Sequence, residues 1–146
     1  MKKALTALLV PLTVVACGGE AETDAMPETE EAAGTVTIVT PMGGAQITGS
    51  TVTVQLSSDV DIQPAGDMTE GTGHHHLYLD ADLTAPNEPV PTVEGSIVHM
   101  GDASSSFVFE GVEPGEHRLI AVVADGAHFP LQPWVVDTVT FTVVEN

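Results

Sequence analysis

The sequence predicts an all-β domain, an antiparallel β-sandwich of about seven strands, on three observations. From Thr35 onward apolar residues recur at every second position in short runs, the period of a strand with one buried face. Turn residues, drawn from 14 Gly and 10 Pro, separate those runs at frequent intervals. No segment of this region carries a helical period. Aromatic residues make up only 4% of the chain, so the core must rest on Val, Ile, Leu and Ala.

The strands follow in order. Thr35 to Thr40 alternates around Val36 and Ile38 and is broken by Pro41 to Gly44. Thr51 to Ser57 sets Val52, Val54 and Leu56 on one face and Thr51, Thr53 and Gln55 on the other. His74 to Asp80 reads as the third strand and Thr92 to Met100 as the fourth. Ser106 to Glu110 turns Phe107 and Phe109 inward, and Pro114-Gly115 makes the turn into a long strand from Glu116 to Ala124. Asp137 to Val144 closes the chain with Val139, Phe141 and Val143 on one face. The corner "EGVEPGEHRL" resembles the turn into the penultimate strand of immunoglobulin-like domains, with His117 near the place where they often carry Tyr. The predicted fold is therefore an immunoglobulin-like sandwich over residues 35–146.

Ahead of it stand two segments of different character. Lys2 and Lys3 precede an apolar stretch from Ala4 to Ala16, too short to span a hydrocarbon core of about 30 Å and typical of an export signal. Val14, Val15, Ala16 and Cys17 resemble a bacterial lipobox, which implies cleavage after residue 16 and acylation of Cys17. A lipid bilayer is then the expected partner, with the outer membrane favoured because Gly18, not Asp, follows the Cys. Residues 17–34 hold six acids and almost nothing to bury, the composition of an extended tether. The formal charge of -18, from 21 acids against 3 bases, excludes nucleic acid as a partner. A single Cys rules out an internal disulfide and any paired-cysteine zinc motif.

All six histidines fall in the predicted domain. Alternation with Leu77 and Leu79 puts His75 on the core side of the third strand and His74, His76 and Tyr78 together on the other. Two histidines at i and i+2 lie about 7 Å apart at Cα, near enough to chelate one ion. In a sandwich of this kind the third strand begins beside the loop "ADGAHFP", which offers Asp125 and His128. His74, His76 and His128 are therefore the candidate ligands for copper or zinc, with Asp125 as a further ligand or as an outer partner of the site. His99 and Met100 form a weaker donor pair, placed according to the register of the fourth strand, and the thioether of Met68 or Met100 would favour copper(I). His75 and His117 face inward and read as structural. Asp125 has a second reading as a turn cap, since Asp-Gly favours turns.

The runs "GTGHHHLYLD", "SIVHMGD", "EPGEHRLIAVVADGAHFP" and "DTVTFTVV" resemble, in order, those of DUF4399, a family of exported bacterial domains of unknown function. The resemblance covers about Gly71 to Val144 and implies family positions at His74, His76, His99, His117, Asp125 and His128. Met100 stands where Phe is usual, and Val98 where many members carry His. No nucleophile elbow or phosphate loop is present, so the expectation is binding, buffering or delivery of a metal rather than catalysis. The alternative is an adhesion module with structural histidines, for which Phe129, Leu131 and Trp134 would supply an exposed apolar patch.

Overall fold

Period-two alternation resolves into nine strands in the computed structural model, which describes residues 34–145. They are β1 (Val36–Thr40), β2 (Gln46–Thr48), β3 (Val52–Ser58), β4 (Asp61–Ile62), β5 (Thr72–Leu79), β6 (Ile97–Met100), β7 (Ser106–Phe109), β8 (Gly115–Ala124) and β9 (Val136–Val144). No helix occurs among the described residues. The signal segment, Cys17 and nearly all of the acidic tether lie outside them.

Two sheets form the sandwich. The smaller has the order β1-β3-β7, and the larger runs β2-β9-β8-β5-β4, with β6 also paired to β5. Because β8 occupies one edge of β5, the short strands β4 and β6 share the other, β4 against Thr72 and Gly73 and β6 against His75 to Tyr78. Val36, Ile38, Val52, Val54 and Leu56 of the smaller sheet meet Leu77, Leu119, Ala121, Val123 and Phe141 of the larger in one buried core. Each buried Val, Leu or Phe there contributes about 1.5–3 kcal/mol of burial free energy.

The larger sheet is covered on its outer face too. Tyr78, Ile120, Val122 and Ala124 form a second, smaller core with Val90 and Ile97, flanked by Leu83 and Trp134 from the loops that cross this face. All eight residues of β5 are consequently buried. Three strand expectations change. The fourth strand begins at Ile97 rather than Thr92, because Ser96 and Ile97 both donate to the Val93 carbonyl in a tight turn. The strands β2 and β4, three and two residues long, carry too few residues to show a period and were not expected.

Candidate metal centre

The centre is built by three strand histidines and one on a turn. On β5, His74 and His76 point to the outer face, as alternation requires, while β6 pairs His99 directly with His76. His128 comes from the turn after β8, where it holds a left-handed backbone with φ of 73°. One nitrogen from each ring lies within 4.8 Å of those of the other three. The rings gather closely, with centroids 4.7 Å apart for His74 and His76 and for His99 and His128. A tetrahedral ion bound at about 2.0–2.1 Å from four nitrogens sets them roughly 3.3–3.4 Å apart. Side-chain adjustments of under two ångströms therefore suffice to close the set.

Burial leaves these rings short of partners. His74 and His76 are fully buried, whereas His99 and His128 are partly exposed. One Nε2 of the His74–His76 pair donates to the other at 2.9 Å. His74 Nδ1, His76 Nδ1 and His99 Nε2 are buried without a hydrogen-bond partner. An unmet buried polar group costs about 1–3 kcal/mol, and a metal ion would accept lone pairs that no protein donor meets. Burial, reinforced by the nearby His99 and His128, lowers the His74 pKa to about 4, against the smaller opposing pull of Asp125. Burial and the neighbouring His74, His99 and His128 lower His76 to about 3. His99 is also lowered, by burial and by His128, with Asp102 opposing. These three rings are thus held neutral, the protonation state that ligates metal.

Residues 52–144 match the family described as "Domain of unknown function (DUF4399)". The chain belongs to the DUF4399 family. No curated protein matches it. Among solved structures, this DUF4399 chain is similar to the fibronectin(III)-like modules of Clostridium thermocellum CbhA, at 14% identity and a TM-score of 0.47 over 75% of this chain and 97% of that one. It is also similar to the endo-beta-1,4-mannanase from Thermotoga petrophila, at 19% identity and a TM-score of 0.44, over 82% of this chain and 21% of the mannanase.

Other expected site residues of the DUF4399 domain occupy different places. Asp125 stands outside the four-histidine group; its Oδ1 accepts from the backbone N–H of Ala127 and Phe129 at 2.9 Å each. Met100 is not a partner of His99 in a donor pair. It pairs with His75, points to the opposite face and is buried in the main core. Met68 is 69% exposed, with its sulfur close to Gly126 of the His128 turn. His75 faces the main core and its Nδ1 donates to the Ser104 carbonyl at 3.0 Å. His117 lies on the core-facing side of β8, stacked on Phe141 with ring centroids 5.5 Å apart. Of the apolar trio in the last loop, Leu131 packs on the main core and Trp134 on the outer one, leaving Phe129 as the exposed member.

Alternation along one strand could group His74 with His76, but it could not rank His99 as their equal. Its membership depends on the cross-strand register, which the sequence does not display. The supports of the site were also missed. The segment 64–67 is tied to β6 through Ala65 N–H to the Gly101 carbonyl and to the His128 turn through Gly66 N–H to the Gly126 carbonyl, both at 3.0 Å. A Cβ on Gly101 would sit 2.6 Å from His99 Nε2, and one on Gly126 would collide with the Asp67 backbone. These glycines let the wall close on the histidines, a role that no motif signals.

Proposed function

We propose that the domain binds one transition-metal ion, copper or zinc, through His74, His76, His99 and His128. The observation that carries this is the convergence of four imidazole nitrogens within 4.8 Å, three of whose rings have a buried nitrogen without a partner. Four imidazoles suit zinc or copper(II). With zinc, four protein ligands would fill a tetrahedral sphere and leave no open position, the arrangement of a holding site rather than a hydrolytic one. Binding, buffering or delivery is therefore the proposed activity, without turnover. From the export signal and the lipobox at Cys17 we further propose that the protein resides in the bacterial cell envelope, lipid-anchored and facing the periplasm from the outer membrane.

Calorimetric titration with zinc and with copper(II) tests the reading. The expected result is one equivalent bound at micromolar affinity or tighter, lost in a His74→Ala, His76→Ala double variant. Equal binding by both proteins would move the ion to the acidic surface and overturn the site. For the anchor, Cys17→Ser is expected to shift the protein from the detergent phase to the aqueous phase on phase partitioning; unchanged partitioning would contradict acylation at Cys17.

A further inference from the structure

We infer that Asp125 is the positioning residue of the metal centre, a carboxylate that sets His128 in place as the fourth ligand without touching the ion. This rests on the four-histidine reading proposed above. Three of the four rings need no such help. His74, His76 and His99 stand on β5 and β6, whose cross-strand hydrogen bonds fix their backbone. His128 has no ladder beneath it. Its backbone lies in the left-handed region, which His enters more readily than most residues with a Cβ but still at a cost that its surroundings must meet.

Asp125 supplies that enforcement from both its main chain and its side chain. Its carbonyl accepts from His128 N–H at 2.9 Å, and its N–H donates to the Phe129 carbonyl at 2.9 Å, closing a turn around His128. Its Oδ1 accepts from Ala127 N–H and Phe129 N–H, the amides on either side of His128. Two further bonds hold the turn to its neighbours: Val90 N–H donates to the His128 carbonyl at 2.9 Å, and Gly66 N–H to that of Gly126 at 3.0 Å. With Oδ1 already accepting two amide hydrogens, the carboxylate serves as the internal cap of the turn. An Asn has an oxygen able to accept the same two bonds but carries no charge; an Ala has neither. Positioning and ligation therefore give opposite expectations for Asp125→Asn.

The test uses the purified protein with Asp125→Asn, Asp125→Ala and His128→Ala, read in two independent ways. In metal-free protein, amide hydrogen exchange by NMR reports the turn itself. Positioning expects wild-type protection at Ala127, His128 and Phe129 in Asp125→Asn and loss of protection there in Asp125→Ala, with the β5 and β8 amides unchanged. Equal protection in wild type and Asp125→Ala would overturn it, whatever the metal does. Titration with zinc, and with cobalt(II) for its visible spectrum, reports the ligand set. The expected affinity of Asp125→Asn is within about fivefold of wild type, since one lost charge near a surface is worth up to about 1 kcal/mol. Asp125→Ala is expected to lose about 10–100-fold, the usual effect of removing an outer support of a ligand. Added imidazole should restore the four-nitrogen cobalt spectrum in both Asp125→Ala and His128→Ala. A loss in Asp125→Asn as large as in Asp125→Ala, without imidazole rescue, would make Asp125 a ligand and contradict the inference. If wild type binds neither ion, the metal reading fails, and the exchange experiment still decides whether Asp125 places His128.

Discussion

At His117 both ring nitrogens face acceptors, Nδ1 the Asp80 carboxylate at 2.6 Å and Nε2 the Glu113 carbonyl at 2.7 Å, so both are satisfied only when the ring is protonated. Burial alone would lower its pKa; the hydrogen bonds to Asp80 and Glu113, with the charge of Asp80, outweigh that and raise it. The resulting stabilisation is complete below the unfolded value near 6.5 and is lost as pH rises through the folded one. His74 and His76 behave in the opposite sense. With folded values of about 4 and about 3, they favour the native state fully above pH 6.5, and that contribution drains away as the pH falls toward those values. Urea unfolding of metal-free protein should therefore lose stability from pH 6.5 downward. His117→Gln should flatten the dependence on the alkaline side alone, and an unaltered alkaline limb would contradict the Asp80 pairing. By the same argument, metal bound at these rings would be retained to lower pH than ordinary histidines allow, because protons compete late at His74 and His76. Alternation made His74 and His76 legible as a pair. The inward direction of His117 was legible as well, but its partner Asp80, 37 positions away, was not.

Within the elements, β5 shows most clearly what a period can and cannot report. Leu77 and Leu79 identified the core face, and the outer face with His74, His76 and Tyr78 followed from it. That the outer face is buried as well comes from Val90, Leu83 and Trp134 in the loops, whose path no local pattern fixes. Tyr78 accordingly finds a partner for its hydroxyl in Thr84 at 2.9 Å rather than in solvent. The sequence predicts β6 from Thr92, whereas Gly95, with φ of 75°, turns the chain just before Ile97. The support of His99 by Gly101 gives a test at this scale. Gly101→Ala would drive a methyl against the His99 ring and Ala65. The expected outcome is a fall of about 10–100-fold in zinc affinity, with a thermal midpoint that moves little in metal-free protein. Wild-type affinity would show that His99 yields freely and that the wall plays no part.

For the whole molecule, the acid excess separates into the segment before residue 35 and the domain. Six acids precede residue 35, and the other fifteen are distributed over 35–146 with Arg118 as the lone Lys or Arg there. Arg118 spends its charge on Asp82 at 2.6 Å at an exposed position, where an ion pair is worth about 0–1 kcal/mol. Self-repulsion should therefore weaken the fold at low ionic strength, and sodium chloride from about 10 mM to 1 M, which shortens the screening length from about 30 to 3 Å, is expected to raise the thermal midpoint. A midpoint indifferent to salt would mean that the acids stand too far apart to interact. A surface this acidic would also attract cations without specificity, so stoichiometry alone does not identify the histidine centre. X-ray absorption of protein loaded with one equivalent of zinc separates the two modes most directly. Binding at His74, His76, His99 and His128 requires four nitrogen scatterers at about 2.0–2.1 Å with the multiple-scattering pattern of imidazole rings. A shell dominated by oxygen, with one imidazole or none, would contradict the four-histidine centre.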